Sequence, residues 1–127
     1  MTDPLVANPE QRALLAELPP QDPVVMINLL QFKQPGGAAH YERYARDVGP
    51  HLTAVSARPL YAGTARAFVI GESPRPWWDA ILVVEYPTPA AFLAMVTSEA
   101  YAEVHVHRAA ALERAELIAT SAWQIQT

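Results

Sequence analysis

Val24-Val25-Met26-Ile27-Asn28-Leu29-Leu30-Gln31-Phe32 and, further along, Ala80-Ile81-Leu82-Val83-Val84-Glu85-Tyr86 are apolar on both alternating faces. A strand with one wet face alternates apolar and polar residues. A small antiparallel sheet normally keeps such a face for water. These two strands do not, so both faces of their sheet need cover. The rest of the chain holds helix enough for one face. A second copy of the same sheet is the simplest cover for the other.

Outward from these strands the elements follow in order. Asn8-Pro9-Glu10-Gln11 is a helix start, with Asn8 as cap, Pro9 at the first helical position and Gln11 where a capping box requires it. This helix is expected over about 9–18, stopping before Pro19-Pro20. After the first strand, Gln34-Pro35-Gly36-Gly37 reads as a loop. A second helix is expected from about Ala39, where Tyr41, Tyr44, Val48, Leu52 and Val55 draw one stripe. Pro50 within it predicts a kink or an interruption. Leu60 to Ile70 reads as a strand, with Gly63 marking a bulge or a close backbone approach. Gly71-Glu72-Ser73-Pro74-Arg75-Pro76 is a turn, and Trp77 to Tyr86 is the third strand. Thr88-Pro89 opens a helix that breaks near Thr97-Ser98 and resumes through Tyr101, Val104, Arg108 and Leu112. Leu117 to Ile125 is the last strand. The order β-α-β-β-α-β after an N-terminal helix is the ferredoxin-like arrangement, an α+β fold with an antiparallel sheet.

With 127 residues, a single domain is expected, its core spanning about 22–125. There is no cysteine, which excludes disulfides and thiolate chemistry. The net charge of −4 and the lack of a basic cluster argue against nucleic acid as a partner. No apolar run reaches the ~18 residues of a membrane span. Met1-Thr2-Asp3-Pro4 has neither a basic n-region nor an apolar h-region, so no signal peptide is expected and a cytoplasmic protein is the default. Charged residues are 17% and apolar ones 51%, which suits a chain that hides surface against a partner.

Four stretches carry a family resemblance. They are Tyr41-x-x-Tyr44 with Val48-x-Pro50; Arg58-Pro59-Leu60-Tyr61-x-Gly63; Trp78-Asp79 leading to Val83-Val84-Glu85-Tyr86-Pro87; and Ala91-Phe92 through Ser98-x-x-Tyr101 to Arg108. Together they resemble the DUF1330-like family of the dimeric α+β barrel superfamily, over roughly residues 22 to 125. The resemblance implies a homodimer in which two ferredoxin-like sheets close one barrel. Members of the wider superfamily include cofactor-free monooxygenases, lactone isomerases, haem-degrading enzymes and binding modules, and fold alone does not choose among them.

Several residues carry chemistry in principle, each beside a structural alternative. Asn28 shares a strand face with Val24, Met26, Leu30 and Phe32; a buried amide either orients a ligand or bonds neighbouring backbone. Glu85 shares a face with Ile81 and Val83; it is either a general base raised by burial or the partner of Arg58 or Arg108. Arg58 and Arg108 are candidates to hold a substrate carboxylate, and either can equally be structural. Tyr41 and Tyr44 belong to an aromatic set with Tyr61, Trp78, Tyr86 and Tyr101, a composition of pockets and interfaces as well as of cores. His51 follows Pro50 and is a lone candidate for proton transfer or haem ligation. His105 and His107, two apart on a helix, cannot share one ion. Glu103 and His107 can, but no third ligand completes a metal site. There is no phosphate loop, and Ser56, Ser73 and Ser121 have no evident base. No cofactor is expected.

Two functions remain. One is a small enzyme, an isomerase or cofactor-free monooxygenase. Asn28, Tyr41 and Tyr44 would orient a small organic molecule between sheet and helices. Glu85 or His51 would move a proton, and Arg58 or Arg108 would hold negative charge. The other is a non-catalytic dimer that binds a small ligand or a partner protein. A purely apolar pocket with Glu85 locked in a salt bridge favours binding; convergent unpaired Asn28, Glu85 and a histidine favour catalysis.

Overall fold

The structure, a computed structural model, describes residues 3–72 and 78–125. Helix α1 spans Pro9–Ala16, strand β1 Val24–Phe32, helix α2 Gly37–Ala54, strand β2 Arg58–Thr64 and strand β3 Ala80–Tyr86. Helices α3 (Pro89–Val96) and α4 (Glu99–Ala111) and strand β4 (Leu112–Thr120) complete the chain. The four strands form one antiparallel sheet in the order β2-β3-β1-β4. This is the α+β, ferredoxin-like arrangement expected from the element order.

The two strands with apolar residues on both sides are the two central ones. Val24 lies opposite Tyr86, Met26 opposite Val84 and Leu30 opposite Ala80. This face carries the helices, and its Val24, Met26, Leu30, Val84 and Tyr86 are buried. α2 lies against α4 and contributes Tyr41, Tyr44 and Val48 to the core. The other face presents Val25, Ile27, Leu29, Ile81 and Val83, none of them fully buried, with Ile118 and Tyr61 exposed beside them. Among the described residues no helix covers it.

Local chemistry explains most of the boundaries. Asn8 Oδ1 accepts from Gln11 N–H and Gln11 Oε1 accepts from Asn8 N–H, a complete capping box. Thr88 and Ser98 cap α3 and α4 through their hydroxyls. Gly36 stands in left-handed backbone at φ 87°. At Gly37 an added Cβ would sit 2.6 Å from the Ala111 carbonyl oxygen, so the end of β1, the start of α2 and the end of α4 meet only around a glycine. Asp79 Oδ2 accepts the Phe32 N–H at 2.8 Å and ties the end of β1 to β3.

Several boundaries differ from the sequence reading. β4 begins at Leu112, not Leu117, and ends at Thr120. Leu112 is extended and pairs with Phe32, because its buried side chain fills the core as a strand residue. β2 starts at Arg58 and ends at Thr64, so the apolar run up to Ile70 is not strand, and Val69 and Ile70 are exposed. α1 ends at Ala16 rather than Leu18. α2 starts at Gly37 and continues through Pro50 without interruption. Gly49 has no Cβ to clash with the proline ring, which relieves the usual bar to helix before proline. The register of β2 against β3 shifts between Pro59 and Tyr61, so the bulge precedes Gly63. The Tyr61 ring lies so close over Gly63 that a Cβ there would collide with it. The expected turn at Ser73-Pro74-Arg75-Pro76 and the strand start at Trp77 lie outside the described residues; β3 is described from Ala80.

Candidate functional site

A cleft opens between the helical face of the sheet and helices α3 and α4. Its floor is Met26, Asn28 and Tyr86, its wall Phe92, Met95, Tyr101, His105 and Arg108, and its cover the segment Leu5–Ala7. Its volume is about 170 Å³. A second cavity of about 550 Å³ shares Met26, Phe92, Arg108 and Leu5–Ala7 and continues under α1 along β4. The N-terminal segment therefore roofs both.

Arg108 is the most unusual group here. The residue is 8% exposed, yet among the described residues no carboxylate pairs with it. Its Nη1 donates to the Leu5 carbonyl at 2.6 Å. A guanidinium has five N–H donors, so most of its capacity is unused. His105 stands three residues earlier on the same helix, a spacing that puts both on one face. Neither of its ring nitrogens has a hydrogen-bond partner among the described residues, although both are shielded from solvent. Burial lowers its pKa below the ordinary histidine value; nearby Arg108 adds to this and Asp3 opposes it. The Tyr101 ring packs against His105 at 5.9 Å between centroids.

A chain of aromatic rings leads inward from the cleft. The Tyr44 and Tyr101 hydroxyls share a hydrogen bond of 2.8 Å. Tyr41 lies beside Tyr44 with centroids 5.3 Å apart, and Tyr86 meets Phe92 edge-on at 5.1 Å. Burial pushes the Tyr41 phenol up to about 12, with Arg108 opposing the shift. Burial also raises Tyr44 and Tyr86 above the ordinary phenol range. All three phenols stay protonated near neutral pH and act as hydroxyl groups. Tyr101→Phe would leave the buried Tyr44 hydroxyl without its partner. The expected cost is about 1–3 kcal/mol in chemical denaturation, with part recovered in the Tyr44→Phe/Tyr101→Phe double variant.

The sequence-selected residues divide between the two faces of the sheet. Asn28, Tyr44 and Arg108 meet in the cleft. Asn28 Nδ2 donates to the Leu82 carbonyl at 3.3 Å, so its amide bonds neighbouring backbone. Tyr41 stands behind Tyr44 in the core, and His51 packs edge-on to Tyr101 at 6.4 Å from the α2 side. Glu85 and Arg58 are on the open face, where Arg58 Nη2 and Glu85 Oε1 pair at 2.6 Å. Strand alternation thus sets Glu85 and Arg58 on the side of the sheet opposite Asn28 and the cleft. His107 approaches Asp47 at 4.0 Å, and among the described residues no group of three or more acidic or histidine side chains could hold a metal ion.

Sequence reasoning considered His105 only as a metal ligand and did not foresee the N-terminal cover. The signal for His105 was its place four residues after Tyr101 and three before Arg108, on the buried side of α4.

The family model for a domain of unknown function, DUF1330, matches residues 26–122. The chain belongs to the DUF1330 family. No curated protein matches it. A crystal structure of a protein of unknown function from Rhodopseudomonas palustris is similar over 98% of this chain and 100% of that one, at 28% identity and a TM-score of 0.84. The hydroxynitrile lyase of Passiflora edulis shares the fold at 14% identity, covering 85% of this chain and 100% of that one, with a TM-score of 0.65. A dimeric protein of unknown function from Bacteroides fragilis, described as having a ferredoxin-like fold, covers 80% of this chain and 98% of that one at 14% identity, with a TM-score of 0.56. The DUF1330 match begins inside β1, so α1 and the roof of the cleft lie before it. Among the described residues no helix is long and apolar enough to cross a membrane.

Proposed function

We propose that this DUF1330 protein is a cytoplasmic, single-domain homodimer that binds a small organic molecule in the cleft between sheet and helices. The observation that carries the reading is Arg108, a buried cation with no carboxylate partner among the described residues, in a cavity that combines apolar Met26, Phe92 and Met95 with a few polar groups. A few placed polar groups in an apolar concavity are what ligand sites consist of. The dimer rests on the open face, whose Val25, Ile27, Leu29, Ile81 and Val83 form a continuous apolar surface. Arg58 and Glu85, already ion-paired at its edge, suit the rim of an interface better than acid–base chemistry. A cofactor-free isomerase or monooxygenase is the second reading; it is favoured by His105, whose unpartnered nitrogens leave it able to take or give a proton.

Titrating the labelled protein with a mixture of small aromatic fragments tests the cleft by amide NMR. Shifts concentrated at Leu5–Ala7, Phe92–Thr97 and Tyr101–Arg108 are expected; shifts elsewhere only would contradict the assignment. Glu85→Gln is expected to leave those shifts unchanged and to alter stability by about 1 kcal/mol or less, because the pair it breaks is largely exposed and on the opposite face. Loss of fragment binding in this variant would return Glu85 to the site.

A further inference from the structure

Two groups in the cleft lack the partners that burial demands. Arg108 offers its fork of donors to a single backbone carbonyl among the described residues, that of Leu5. His105 offers a donor and an acceptor to none of them. A buried cation with one neutral partner is costly, because its lost hydration is not replaced by an anion. A carboxylate matches the guanidinium fork with two parallel hydrogen bonds and cancels its charge. A neutral imidazole pairs with a hydroxyl or carbonyl instead. The two side chains lie one helical turn apart, so one small molecule spans both. The remaining lining includes apolar Met26, Phe92 and Met95, and its other cation, Arg12, is exposed and donates to the Ala7 carbonyl at 2.9 Å, so burial demands no second anion.

We infer that the ligand is a small monocarboxylic acid with an apolar body and a second polar group near the carboxylate. The carboxylate seats on Arg108, the hydroxyl or carbonyl meets His105, and the apolar part lies between Met26 and Phe92. The inference rests on the cleft being a small-molecule site and adds the class of its ligand. It has a consequence for the roof: the carboxylate and the Leu5 carbonyl share the Arg108 guanidinium. Occupancy of the cleft and the seating of the N-terminal segment are therefore coupled.

Three molecules of one skeleton test this on the full-length, isotope-labelled protein: 3-phenyllactate, 3-phenylpropionate and 3-phenylpropanol. Both acids are expected to shift the amides of Leu5, Val6 and Ala7 and to bind about tenfold or more tightly than the alcohol, the worth of a charge-assisted pair. The hydroxy acid is expected to bind tightest. His105→Phe should remove the advantage of phenyllactate over phenylpropionate and keep the preference for acid over alcohol. Arg108→Lys should weaken both acids about tenfold and leave the alcohol unchanged. If that variant does not fold, the three ligands and His105→Phe still decide. Acid and alcohol binding equally well in the cleft would overturn the inference while small-molecule binding stands. No shift at any cleft amide with all three compounds at millimolar concentration would overturn both.

Discussion

Replacing Ile27 with aspartate is expected to turn the proposed homodimer into a folded monomer. Ile27 lies on the open face in β1, opposite Val83 on one side and Ile118 on the other. All three are apolar, none is fully buried, and among the described residues no helix lies over them. Within one subunit the new carboxylate would face water. Its cost to folding is expected to be about 1 kcal/mol or less, mainly from the poor strand propensity of aspartate. Across a two-fold interface the same change buries two carboxylates without partners. Desolvation of each costs several kcal/mol, so dimer affinity should fall by about three orders of magnitude or more. Sedimentation velocity and circular dichroism together read the result. A monomer with native ellipticity is expected; an unchanged dimer would move the interface to another surface.

Phe92→Ala is expected to have the largest effect on stability. Phe92 is buried, meets Tyr86 edge-on at 5.1 Å and lines both cavities. Its loss removes apolar contact and joins the two spaces, so the neighbours have little with which to refill the gap. Core phenylalanine truncations cost about 3–5 kcal/mol. The enlarged space would gain an apolar end formed by Met26, Tyr86 and Met95, which accepts an apolar guest. Benzene at 100 times its dissociation constant should then restore about 2.7 kcal/mol in thermal or chemical unfolding. A loss below about 1 kcal/mol, or no rescue, would mean that the cleft collapses around the deletion and is not a preformed site.

How much of this was legible in the chain depends on the range of the interaction. The central strands were readable because alternation is local and theirs has no wet face. The caps at Asn8 and Thr88 and the break near Thr97-Ser98 were equally local. The end of α4 was not, because Leu112 becomes a strand residue through its pairing with Phe32, eighty residues away in sequence. The site was half legible. Within β1 and β3, Asn28 and Glu85 could each be placed among their own neighbours. Whether the two share a side depends on the register that sets Asn28 opposite Leu82 and Val25 opposite Glu85, which is a tertiary fact. Arg58 and Arg108 had equal claims in sequence. Only the fold sends one to an exposed pair with Glu85 and the other beneath Leu5, a partner more than a hundred residues away.

A native mass spectrum of the freshly purified protein at low concentration decides whether two copies share the open face of the sheet. A species at twice the 13.9 kDa chain mass is expected, carrying up to one extra small-molecule mass per subunit that Arg108→Lys loses. A monomer would contradict this, since the apolar face of β1 and β3 would then have no cover.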